Sequence, residues 1–252
     1  MNEIAGSKQL HIGALIFPGI DQIDFTGPFE VLSRLPGANY HVIAKDKKPI
    51  RDMRGLILTP EKTFSEITRL DLLHVPGGPG QEALMDDKET LAFIREQAAN
   101  ADHIFSVCTG ALILGAAGLL VEKRATTHWA ALHLLGYFGA TPVNERVVID
   151  GKLISAAGVT AGIDGALHVA ALLCGKRKAQ EIQLDIQYAP EPPFNSGTVD
   201  TAPKEVVKTV RAAYQRLTDA RVVTAQRIRA KLRISDNAVL EPGQLEARER
   251  TS

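Results

Sequence analysis

The chain has 252 residues, 45% of them hydrophobic, and 29 basic side chains balance 29 acidic ones. That is enough apolar material for one well-buried domain with an extension, and the zero net charge argues against a molecule built as a whole for nucleic acid or another acidic partner. No run approaches the roughly 20 apolar residues that span a bilayer, and Met1 to Leu10 lacks a hydrophobic signal core, which predicts a cytoplasmic protein. Two cysteines, Cys108 and Cys174, make no disulfide framework, and seven histidines without HExxH or paired CxxC spacing predict no metal.

In chain order, residues 1–9 are read as a flexible start. Short apolar runs bounded by Gly, Pro and Asp then predict strands over 11–17, 40–44, 71–75 and 102–107. Helical spacing between them predicts helices over 27–35, 87–99 and 109–119. This alternation implies a parallel sheet with helices on both faces and active groups at the carboxyl ends of the strands. Three loops then open on one crevice: residues 17–24, the Pro76-Gly77-Gly78-Pro79-Gly80 loop, and the turn at Cys108. Downstream, residues 146–155 read as a hairpin turning at Gly151, followed by helices over 160–173 and 179–188. Cys174 reads as a small buried helix residue.

Beyond the proline-rich segment 189–194, Val206, Val210, Tyr214 and Leu217 recur at i, i+4, i+8 and i+11, which predicts a helix with one apolar stripe. From Lys204 to Arg233 there are nine basic and two acidic residues, a balance of 9 − 2 = +7. A solvated helix face accounts for this, and an acidic partner is the sharper alternative. The domain division is therefore 10–203 for the α/β domain, 204–234 for a basic amphipathic extension and 235–252 for a disordered tail.

The segment Phe105-Ser106-Val107-Cys108-Thr109-Gly110 ends an apolar run in small residues and enters an apolar helix, the pattern of a nucleophile elbow. Backbone N–H groups at a helix N-terminus predict a thiol pKa well below the free value of ~8.5. Gly77 and Gly78 fit neither G-x-G-x-x-G nor a P-loop; with Thr109 they are expected to bring backbone N–H groups to developing negative charge. Asp24, in Ile23-Asp24-Phe25, is expected to be partly buried and to exchange protons near neutrality, whereas Asp21 is read as solvated and the helix as starting at Thr26-Gly27-Pro28. His128 is a candidate partner for the thiol, although a structural histidine fits the sequence equally, and Trp129 beside it lines a pocket or fills core.

The elbow, the Pro76-Gly77-Gly78 loop, the acidic segment 17–28 and Thr126-Thr127-His128-Trp129 together resemble the ThiJ/PfpI superfamily. Within it, the aspartate at Asp24, where many members carry glutamate, resembles the branch that hydrates isonitriles (isocyanides). The resemblance covers about residues 10–203. It implies a flavodoxin-like three-layer sandwich with a mostly parallel sheet and a C-terminal helical extension, a homodimer, no cofactor, an isonitrile substrate, Cys108 as nucleophile and Asp24 as general acid/base. Trp129, Thr160 and Ile163 are the expected apolar wall for the substrate. Two other readings use the same core: a glyoxalase or deglycase acting on small dicarbonyls, and a ligand-sensing transcription regulator. The regulator reading is weakened because residues 204–252 are too few for the two helix-turn-helix units such proteins add, so nucleic acid is not the expected partner.

Overall fold

The computed structural model describes residues 9–234. The expected flexible start, up to residue 8, and the expected disordered tail from 235 lie outside the described residues. The first half contains β1 (Leu10–Leu15), α1 (Gln22–Leu32), β2 (Ala38–Ala44), the short pair β3 (Ile50–Arg51) and β4 (Ile57–Leu58), β5 (Lys62–Thr63), β6 (Leu72–Val75), α2 (Gln81–Leu84), α3 (Lys88–Asn100) and β7 (His103–Val107). There follow α4 (Gly110–Ala116), β8 (Arg124–Ala125), a 3-10 stretch (Trp129–Phe138), β9 (Thr141–Pro142), β10 (Val147–Asp150), β11 (Leu153–Ala156), α5 (Ala161–Cys174), α6 (Lys176–Asp185) and α7 (Lys204–Leu232).

Seven strands form one sheet in the order β10-β11-β7-β6-β1-β2-β5, parallel except for β10 against β11. This is the mostly parallel sheet with helices on both faces that the alternation of runs predicts, in the flavodoxin-like form that the family resemblance implies. Its connections reverse direction between β1 and β6, and in such sheets the ligand crevice lies outside the carboxyl ends of the strands at that switch. Both faces are buried, which is why the strands read as continuous apolar runs. On one face Ile12, Leu72, Phe105 and Ile154 pack under α1, α5 and α6. On the other, Leu73 and Ile104 pack under α3, α4, the 3-10 stretch and the end of α7, which contributes Ala225 and Ile228.

Two departures from the sequence reading matter for the site. First, α1 starts at Gln22, not near Gly27. Asp21, read as solvated, is half-buried and is the N-cap: its Oδ1 accepts the Ile23 N–H at 3.4 Å. Asp24 therefore sits in the first helical turn, and Pro28 lies inside the helix, where it cannot donate to the carbonyl four residues back, that of Asp24. Second, the apolar stripe of α7 is only half used. Val206 and Val210 remain 46% and 38% exposed, while Arg221, Thr224, Ala225 and Ile228 are buried. The docked half of the helix packs on the α/β core of the same chain: the Thr224 hydroxyl donates to Glu82 at 2.6 Å and Arg227 pairs with Asp86. Cys174, expected in the core, is half-buried at the end of α5.

Ile228 ties α7 to the main core. Ile228→Ala is expected to cost about 2–5 kcal/mol, read as a lower denaturant midpoint with an unchanged slope. An unchanged midpoint, with α7 alone becoming protease-sensitive, would show that the helix is not part of the cooperative fold.

Candidate active site

The carboxyl ends of β1, β6 and β7 deliver three pieces to the switch point. From β7 the chain turns at Cys108, whose φ of 55° lies in the left-handed region, a conformation that costs a non-glycine residue about 1–3 kcal/mol. The surroundings hold it there. The Cys108 N–H donates to the Ala156 carbonyl at 3.0 Å, and the Thr127 hydroxyl donates to the Cys108 carbonyl at 2.6 Å. Gly110 must be glycine, because a Cβ there would overlap the Val75 carbonyl oxygen.

From α1 comes Asp24, fully buried. Its Oδ2 accepts the Gly77 N–H at 3.0 Å, while Oδ1 has no aligned donor among the described residues. The Cys108 thiol lies close enough to this carboxyl to act on its ionisation, with no aligned hydrogen bond joining the two among the described residues. Pro28 leaves the Asp24 carbonyl without its helical donor. His74 is buried, holds the Tyr40 hydroxyl at 2.9 Å through Nδ1 and stacks on Phe105. Burial pulls its pKa down to about 3, so it is neutral at pH 7.

The electrostatics differ from the sequence expectation. Burial, reinforced by the charge on Asp21, pushes the Asp24 carboxyl well above its ordinary range. Burial, and next the Asp24 charge, also push the Cys108 thiol up rather than down; the Thr109 N–H and the Arg221 guanidinium oppose this. Two negative charges in contact in a buried site repel strongly. The pair therefore titrates as a coupled unit, with apparent pKa values belonging to both groups.

The loop after β6 closes the third side. Its two leading N–H groups are already engaged: that of Gly77 with Asp24, and that of Gly78 with the Thr109 hydroxyl at 3.1 Å. Gly77 permits this packing, since a Cβ would come within 2.5 Å of the Thr109 nitrogen. The N–H turned towards sulfur is that of Thr109.

His128 lines the same narrow pocket as Cys108, Asp21, Tyr214 and Arg221, but makes no hydrogen bond to the thiol among the described residues. Its ring packs against Trp129 and Tyr214, and burial holds its pKa down at about 4. His128 and Val159 also border an adjoining, wider cleft of about 360 Å³, and there Trp129 and Thr160 are found. Ile163 is in neither: it packs on Gly27 of α1. Arg221, on α7, escapes a sequence reading because it lies in a basic run. It is 3% exposed, and its Nη2 donates to the Gly78 carbonyl at 3.3 Å and to the Thr109 hydroxyl at 3.5 Å. Among the described residues no group of three potential metal ligands forms.

A buried thiol, a proton-holding carboxyl and a backbone donor at one opening can form and break a covalent bond to an electrophilic carbon. Comparison with known proteins gives this arrangement a context. An isonitrile hydratase from Pseudomonas putida is 50% identical over 225 residues, covering 89% of this chain and 99% of that protein. A ThiJ/PfpI family protein from Pseudomonas syringae, known as a crystal structure, superposes with a TM-score of 0.85 at 38% identity, covering 89% and 97% of the two chains. A transcriptional regulator of the helix-turn-helix type, CdhR from Pseudomonas aeruginosa, is 30% identical over 176 residues, but only 52% of its length is matched. The family model described as DJ-1/PfpI matches residues 11–172, and with that match the chain belongs to the DJ-1/PfpI family.

Proposed function

We propose that this protein is a hydro-lyase that hydrates an isonitrile to an N-substituted formamide, with Cys108 as nucleophile and Asp24 as general acid and base. The observation that carries the reading is the buried Asp24 carboxyl acting on the buried Cys108 thiol; in this reading the two share a single proton near neutral pH. The kinship at 50% identity with a protein named isonitrile hydratase supports the substrate class.

An isonitrile, R–N≡C, accepts a nucleophile and a proton at the same terminal carbon. With the shared proton on Asp24, sulfur is a thiolate held by the Thr109 N–H. The thiolate attacks the carbon, Asp24 delivers its proton to that carbon, and the product is the thioimidate Cys108–S–CH=N–R. Asp24, now a carboxylate, takes a proton from water as the hydroxyl adds to the carbon, and passes it to nitrogen, giving Cys108–S–CH(OH)–NH–R. Collapse of this adduct gives the hydroxyl proton back to Asp24, forms the C=O bond, breaks the C–S bond and releases R–NH–CHO, leaving sulfur and Asp24 as they began. The narrow pocket over Cys108 holds the reacting carbon and nitrogen, and the R group extends past His128 and Val159 into the wider cleft beside Trp129 and Thr160. Neutral His128 is a wall of this passage, with acid–base work left to Asp24. The reading includes the homodimer and cytoplasmic setting that the family resemblance implies; the exposed Val206 and Val210 are apolar surface available to a second copy.

The test is formamide production from cyclohexyl isocyanide. Cys108→Ala and Asp24→Asn are each expected to reduce kcat by at least about 10³-fold, in line with the loss of a nucleophile or of general acid–base catalysis. Rapid quenching and intact-protein mass spectrometry should show the substrate's mass added at Cys108. Turnover of methylglyoxal and not of the isonitrile would replace this reading with the glyoxalase one.

A second prediction follows from burial of Asp24. A carboxyl whose native pKa lies above its unfolded value of 3.8 destabilises the native state once ionised. The penalty is absent below about pH 4 and grows as pH rises towards the native pKa. Asp24→Asn should therefore unfold at higher denaturant than the parent at pH 7, and the difference should shrink towards pH 4. A less stable Asp24→Asn at pH 7, with no pH trend, would refute a raised pKa.

A further inference from the structure

We propose that Arg221, carried on the C-terminal helix, is part of the active site: its buried guanidinium is the counter-charge of the Cys108 thiolate, so that α7 completes the site rather than merely covering it. The inference rests on Cys108 being the nucleophile, but not on the identity of the substrate.

Four observations carry it. The side chain is almost wholly buried, and it borders the same pocket as Cys108. Its hydrogen bonds go to neutral acceptors, the Gly78 carbonyl and the Thr109 hydroxyl, and its buried Nε has no partner among the described residues. No carboxylate stands within ion-pair distance of it among the described residues. The contrast with Arg227, two turns on, which pairs with Asp86 at the surface, is direct. A buried cation without an anion is costly and persists where an anion forms in its field. Here that anion is sulfur, and the attraction is mutual: Arg221 draws the thiol pKa down while the thiolate draws that of Arg221 up.

The charged and titratable neighbours leave sulfur as the natural partner. Asp21 caps α1 and accepts Ile23 N–H, and Asp24 is bonded to Gly77; Glu82 on α2 also acts on Arg221 through its charge, less strongly than sulfur, but forms no ion pair with it and is engaged by the Thr224 hydroxyl. His128 is neutral at pH 7, Tyr214 is raised by burial, and Arg54, on the turn between β3 and β4, acts on Asp21 and Tyr214 rather than on the thiol. The short α4 provides a helix N-terminus of only seven residues, so a full positive charge adds what a short dipole does not. In the reaction, Arg221 favours the thiolate twice: when it attacks, and when collapse of the adduct returns the electron pair to sulfur.

The experiment is the pH dependence of Cys108 alkylation by iodoacetamide in the full chain, followed by intact mass. It needs no isonitrile turnover, so its failure is distinguishable from failure of the hydratase reading. Arg221→Met should move the midpoint up by at least about one pH unit and slow alkylation at pH 7 about tenfold. Arg221→Lys should recover part of the shift by restoring charge without the forked donor. Asp86→Asn, which cuts the Arg227 anchor of the same helix, should leave the midpoint unmoved. Should Arg221→Met be insoluble, Arg221→Gln, which keeps a donor for the Gly78 carbonyl and removes only the charge, carries the same expectation. A midpoint equal to the parent's in a folded, uncharged variant would overturn the proposal and reduce Arg221 to a packing role.

Discussion

The arrangement depends on one contact, that between the Asp24 carboxyl and the Cys108 thiol. The fold makes it: the strand order changes direction between β1 and β6, so the first turn of α1 and the end of β7 meet over the same crevice. Burial makes it consequential. In water, two such groups would ionise independently; here burial raises both, the Asp24 charge raises the thiol further while the thiol opposes the rise of Asp24, and they titrate as a coupled pair. A pair of this kind presents a nucleophile and an acid in the same protonation state, which is the requirement for adding sulfur and hydrogen to one carbon.

Holding that contact uses strain and unusual backbone bonding. Cys108 keeps a left-handed φ because both of its peptide groups are tied, one to β11 and the other to Thr127. Asp24 keeps its place because it lies in the first turn of α1, capped by Asp21, and because Gly77 brings a backbone donor to its carboxyl. Arg221 then ties the Gly78 carbonyl and the Thr109 hydroxyl from above. The site is thus clamped by elements from both faces of the sheet and by the C-terminal helix. Such rigidity holds reacting groups in place, at a cost in intrinsic stability.

Much of this was legible in the sequence, and the reasons are local. Apolar runs ending in Cys108-Thr109-Gly110 and in Pro76-Gly77-Gly78 mark strand ends followed by small residues, a pattern with few structural meanings. Asp24 stood out by its apolar neighbours. The start of α1 was hidden because Pro28 suggests a helix beginning, although here the cap is Asp21 and the proline is interior. The ten-residue 3-10 stretch that carries Trp129 shows no period that distinguishes it from loop or helix. Arg221 was hidden for a different reason: the periodicity of α7 picks out apolar residues, and a cation buried for the sake of a distant anion breaks that pattern. Ile163 faces Gly27 of α1, a placement set by which face of α5 meets α1 and not by its nearness in sequence to Thr160. The general lesson is physical: patterns that arise from water report the core, whereas charges buried for chemistry depend on partners brought together only by the fold.

The most direct test of the shared proton is to follow the Asp24 carboxyl carbon by 13C NMR across pH, in the parent and in Cys108→Ala. The account predicts two coupled steps in the parent, neither near the ordinary aspartate value, collapsing to one step when the thiol is removed. A single ionisation near pH 4, the same with and without sulfur, would contradict it.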